Sequence, residues 1–98
     1  MNILENITFS TEKPNVLYLK KSAKLKYFAI ALGKNAVLKK HTAPVPSTLV
    51  VLKGEINFIL DGKDHFLKQF DVFEIPVEVE HEAHGLSDEN IFMVSQEL

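Results

Sequence analysis

What most limits the fold of this chain is the spacing of its apolar residues. No segment repeats them with a sustained 3.6-residue period, so helices have no amphipathic face to build on. Instead, short apolar runs follow one another, each ended by Gly, Pro or a polar turn. They cover Asn15 to Lys20, Ala23 to Leu32, Ala36 to Lys40, Ser47 to Lys53, Glu55 to Leu60, Lys63 to Lys68, Val72 to Ile75, Val79 to Ala83 and Asn90 to Ser95. Seven to nine short strands at regular spacing predict an all-β sandwich or barrel.

Asp61-Gly62 gives the sharpest local signal. It sits between two strand-like runs and suits a tight hairpin turn that needs positive φ. Pro44 and Pro46 cannot donate ladder hydrogen bonds, so Ala43 to Pro46 reads as a loop or an irregular strand entry. Met1 to Ser22 is the least regular stretch. There Leu4 and Ile7 fit one side of a short helical turn as well as an extended edge.

A chain of 98 residues, 46% of them hydrophobic, makes one domain with one core, expected over residues 1–98 with an arm at 1–22 and a barrel at 23–95. From Ala29 onward the second run is apolar on both sides, so one side should face the core and the other a second sheet or subunit. A net charge of −2 argues against a general nucleic-acid binder. No apolar run approaches the roughly 20 residues needed to span a bilayer, and the N-terminus does not read as a secretion signal. A cytoplasmic protein with no nucleic-acid or membrane partner is expected. With no cysteine, thiolate chemistry and disulfides are excluded.

Four histidines are the candidates for chemistry. Neutral imidazole is the commonest metal ligand and a good polar anchor. Along a strand, residues at even spacing share a face. Thus Val79, His81 and Ala83 share one face, and Glu80, Glu82 and His84 the other. His41, Ala43, Ser47, Leu49 and Val51 share one parity, provided the two-proline loop keeps register. His84 is expected to point outward beside Glu82, and His65 to be a partly buried structural imidazole. Glu74, Glu78, Glu80 and Glu82 form an alternating acidic row that reads as a solvated strand face.

These residues carry a resemblance to the cupin superfamily, over roughly Leu25 to Val94. Aligned on Gly54, the first cupin motif places His41 at its first histidine, Ala43 at its second and Ser47 at its glutamate. In the second motif, Phe70-Asp71 stands where Gly-Asp is usual, Ile75-Pro76 matches, Glu78 replaces a glycine and His81 falls on the histidine. The resemblance is closest to short stand-alone bacterial cupins. It implies a double-stranded β-helix, a jelly-roll barrel of two antiparallel sheets around a cavity.

It also implies a homodimer, since cupins commonly pair through their sheets. The expected function is small-molecule binding in the lumen, with His41 and His81 as polar anchors, Ser47 adding a hydroxyl and Phe73 lining the pocket mouth. The alternative is a metal-dependent enzyme of the dioxygenase or isomerase kind, with His41 and His81 holding Fe, Mn, Ni or Zn. Ala43 and Ser47, at the other two ligand positions, favour the first reading.

Overall fold

A computed structural model describes residues 1–98. Nine strands account for the regular structure, with no helix. They are β1 (Asn15–Lys21), β2 (Leu25–Gly33), β3 (Val37–His41), β4 (Ser47–Lys53), β5 (Glu55–Leu60), β6 (Lys63–Lys68), β7 (Val72–Ile75), β8 (His81–Gly85) and β9 (Glu89–Glu97). Two antiparallel sheets face each other, ordered β1-β2-β9-β4-β7 and β3-β8-β5-β6. This is the expected jelly-roll barrel.

Alternating side chains of the two sheets fill the space between them. Leu32, Leu49, Val51, Ile56, Phe58 and Phe92 are almost wholly buried there. Register sorts the inner face of the larger sheet into rows. Ile30 lies beside Phe92, which lies beside Val51; one row nearer the opposite end, Phe28, Val94, Leu49 and Phe73 follow one another. The next row is Lys26, Gln96, Ser47 and Ile75, and three of its four members are polar.

The two ends of the barrel therefore differ. At the apolar end, Gly33, Gly54 and Gly85 bring backbones together around buried Asn90. A Cβ on Gly85 would meet the Asn90 amide at 2.7 Å, and the Ser10 carbonyl accepts from the Gly33 N–H at 2.9 Å. Asn90 accepts from the Glu55 and Ser87 N–H groups and donates to the Leu32 and Ser87 carbonyls, so every polar atom of its amide is paired. That end is closed.

The outer face of β2 beyond Ala29 is covered from within the chain. Ala29, Ala31 and Ile91 form a second cluster, under Ile3, Ile7, Phe9, Leu17, Leu19 and Leu52. The segment before β1 thus forms one turn, with the Asn6 N–H donating to the Ile3 carbonyl, and then lies across the sheet. The apolar run that suggested an outer partner has one in its own N-terminus.

Several local details differ from the sequence expectation. Pairing in β8 begins at His81 rather than Val79, because residues 76–80 make a turn in which Glu78 has φ 63° and donates its N–H to the Ala43 carbonyl. That turn also divides the acidic row: Glu74 lies on β7, where it accepts from the Thr48 hydroxyl, and Glu82 lies on β8. Phe70 has φ 72° as well. Phe70 and Glu78, which the resemblance aligned with glycines, both adopt the left-handed backbone that glycine takes most easily.

Candidate functional site

The two motif stretches meet at the open end of the barrel. Ser47 pairs with Ile75, His41 pairs with His81, and the Glu78–Ala43 backbone bond ties the two connecting loops together. Between them lies a cavity of about 230 Å³. Its deep wall is Ile30, Leu49, Phe58, Phe92 and Val94; its polar rim is Lys26, His41, Thr42, Ser47, His81 and Gln96.

His41 reaches the lumen through a bulge. Leu38 and His41 both line the cavity although three residues apart, because register shifts between them where β3 pairs with β8. Lys39 and Lys40 fill the bulge, and the parity that grouped His41 with Ala43 holds at the cavity wall. His81 is 4% exposed, stacked on Phe58 with ring centroids 5.4 Å apart. His41 packs edge-on against it at 4.3 Å and is open to solvent on its other side.

Hydrogen bonding fixes how these rings present themselves. Nδ1 of His41 lies 2.8 Å from the Lys39 carbonyl, and Nδ1 of His81 lies 3.0 Å from the Val79 carbonyl. A carbonyl oxygen only accepts, so each Nδ1 carries the hydrogen and each neutral ring offers a bare lone pair at Nε2. Those two Nε2 atoms face each other at 3.1 Å. Two Nδ1 contacts and one Nε2 contact make three, each needing a hydrogen or a cation, and two neutral imidazoles supply two hydrogens. The site has room for one more electrophile.

A solvent proton is disfavoured on His81. Burial lowers the pKa of His81 from its ordinary 6.5; the Val79 carbonyl acts the other way, and His41 lowers it further. A ligand O–H or N–H, or a cation, fits that place. Two imidazole Nε2 atoms this close would be the residues to hold a divalent ion, were one bound. No group of three or more His, Asp or Glu converges anywhere in the chain, so the remaining donors would come from water or ligand.

The other sequence candidates fall as follows. Ser47 is at the cavity wall, 2% exposed, donating to the Val45 carbonyl at 3.2 Å and accepting from the Gln96 amide at 3.1 Å. Ala43 lines the cavity too. Phe73 does not: on edge strand β7 its inward ring packs on Phe58 at 5.2 Å and His65 at 4.9 Å, away from the opening. His65 is the partly buried imidazole expected, with Nδ1 3.0 Å from the Lys63 carbonyl. His84 points outward, 3.3 Å from Glu82.

Sequence reasoning missed Lys26, Thr42 and Gln96. Lys26 shares parity with Phe28 and Ile30, and Gln96 with Phe92 and Val94, so alternation places both inward. Their charge and polarity made them look like surface.

Comparison with known proteins agrees with this architecture. The family model of the cupin domain matches residues 27–96. A cupin 2 conserved barrel domain protein from Leptotrichia buccalis superposes with a TM-score of 0.88 at 20% identity, over 100% of this chain and 47% of that one. An RmlC-like cupin from Shewanella frigidimarina gives 0.79 at 23% identity, over 86% and 75%. A conserved Streptococcus pyogenes protein of unknown function gives 0.85 at 11% identity, over 99% and 84%. Among curated proteins none matches. The match over most of the chain, on a barrel of two antiparallel sheets, places this protein in the cupin family.

Proposed function

We propose that this protein binds a small molecule in the barrel lumen, with His41 and His81 as its polar anchors. The observation that carries this reading is the approach of two Nε2 atoms to 3.1 Å at the rim of an open cavity whose deep wall is apolar. A ligand O–H or N–H aimed between the rings meets the unfilled contact, while its apolar body lies against Leu49, Phe58 and Phe92. Ser47 is a poor nucleophile here, since its hydroxyl hydrogen is already given to the Val45 carbonyl.

The same lone pairs support a second reading, in which a divalent ion such as Fe, Mn, Ni or Zn bridges His41 and His81 and makes the cavity an enzyme site. Such an ion would act as a Lewis acid on a bound oxygen. Two measurements separate the readings. Metal content of untagged protein is measured by mass spectrometry, and the stripped protein is titrated with each ion. Thermal-shift screening of the stripped protein with small alcohols, amides and acids then tests the lumen directly. Metal-free stabilisation that is lost in both His41→Ala and His81→Ala supports the organic ligand. Near-stoichiometric metal lost in both variants supports the ion.

A further inference from the structure

From the charge distribution around the cavity we infer that the lumen ligand is a small organic anion, with its negative head on Lys26 and Gln96, a hydroxyl or N–H on the His41–His81 pair, and its apolar body in the barrel. This deepens the lumen-binding reading above and rests on it. Three observations carry it.

The cavity wall holds a cation and no anion. Lys26 lines it, no Asp or Glu does, and Lys26 takes part in neither of the chain's side-chain ion pairs. This is unusual placement in a protein whose net charge is −2. Lys26 is half-buried at the rim, where its ammonium can reach both solvent and a ligand at the mouth.

Lys26 is also held in place. Its Nζ sits 5.4 Å from both the Tyr18 and Phe28 ring centroids, which stabilise the cation through their faces and leave its N–H donors free. Lys26 is the direct register partner of Gln96, whose amide gives one hydrogen to Ser47 and keeps another. A carboxylate or similar oxyanion in front of this row meets an ammonium and an amide N–H together.

The approach is basic as well. A shallow surface groove shares Leu38 and His41 with the cavity, and Lys13, Lys39 and Lys40 line it with Glu12 as the single acid. Lys39 and Lys40 are the two residues of the β3 bulge, so the same irregularity that turns His41 inward puts two ammonium groups beside the entrance. Such a field concentrates anions at the mouth.

The cavity volume sets the size. About 230 Å³ is the share of roughly eight water molecules at about 30 Å³ each, which suits a ligand of about that many non-hydrogen atoms.

The test is binding of matched pairs that all carry a hydroxyl for the histidine pair, 6-hydroxyhexanoate against 6-hydroxyhexanamide and 3-hydroxybenzoate against 3-hydroxybenzamide. It is read by chemical-shift changes of the Leu49, Val94 and Ile30 methyl groups in wild type, Lys26→Met and Lys26→Arg. The spectra themselves report whether each variant is folded. The expected result is carboxylate binding at least about tenfold tighter than amide binding, lost in Lys26→Met and kept in Lys26→Arg. Equal binding of acids and amides, unchanged in Lys26→Met, overturns the anion assignment and leaves lumen binding standing. No lumen shift with any of the four compounds in folded wild-type protein counts against lumen binding, and the anion assignment falls with it.

Discussion

His41 and His81 are 40 residues apart in sequence and 3.1 Å apart at their Nε2 atoms, with each opposite ring nitrogen committed to a backbone carbonyl. This arrangement leaves two lone pairs facing one gap. It also makes the gap easy to perturb, and the first two predictions concern it.

Acid should weaken the fold through His81. Its pKa is lowered in the folded state, chiefly by burial, so below about 6.5 the unfolded chain binds the proton more readily. The stability that His81 contributes is therefore full above its unfolded pKa and is lost as pH falls through the lowered folded value. Urea melts from pH 7.5 to 4.5 should show wild type losing stability toward acid more steeply than His81→Gln. Parallel pH curves for the two proteins would remove the burial argument.

Adding two donors to the cavity wall beside the histidines should build a metal site. Ala43 and Ser47 line the same cavity as the two histidines. In Ala43→His/Ser47→Glu, calorimetric titration with Zn or Ni should give affinity at least about tenfold above wild type, since two further ligands complete a four-donor set. Unchanged affinity in a folded double mutant would mean that these four side chains do not share a focus.

Phe70→Gly and Glu78→Gly should each stabilise the protein by about 1 kcal/mol in urea denaturation, by removing the steric cost of a left-handed backbone from a residue with a Cβ. Phe70 has little packing to lose, being 74% exposed. Gly54→Ala should act in the opposite sense, because its Cβ would collide with the Glu89 carbonyl and the Asn90 side chain. If both glycine variants lose stability, contacts of Phe70 and Glu78 outweigh their backbone strain.

Asn90→Ala should cost about 3 kcal/mol or more. It strands the Leu32 carbonyl and the Glu55 and Ser87 N–H groups at the closed end of the barrel, where water has poor access. Asn90→Asp should be nearly as damaging, since a carboxylate faces the Leu32 and Ser87 carbonyls without a hydrogen to offer. Thermal melts at pH 7.5 check both.

Removing residues 1–9 should uncover the Ala29, Ala31 and Ile91 face. Each of Ile7 and Phe9 contributes apolar burial worth about 1 to 2 kcal/mol, so the truncated protein should melt at lower temperature. It should also associate more strongly with rising concentration, which sedimentation velocity would measure. A truncated chain with unchanged melting and association would show that the N-terminal segment does not cover this face in solution.

Much of the fold was legible because its determinants are local. Period-two alternation and turn residues identified the strands and the Asp61-Gly62 hairpin, and parity put His81 inward with Ala83 and His84 outward with Glu82. Phe73 was legible as inward but not as remote from the opening. Alternation names a face; it cannot say which row of that face reaches the cavity. Val79 looked like strand from its neighbours, yet pairing begins at His81, where β5 and β3 are available as partners.

The sequence by itself determined an all-β sandwich or barrel, its hairpin, and the inward side of the His81 strand, because steric preferences and two-residue alternation act between near neighbours. The choice of a barrel came from the resemblance of its motifs. Tertiary structure alone decided that Lys26, Gln96 and Ser47 form one row, since β2, β9 and β4 meet only through long-range register. It alone set the two Nε2 atoms face to face, through a bulge in β3 that no local pattern announced. It alone laid the N-terminal segment over β2, because an apolar face can be covered by any apolar surface that chain geometry brings within reach.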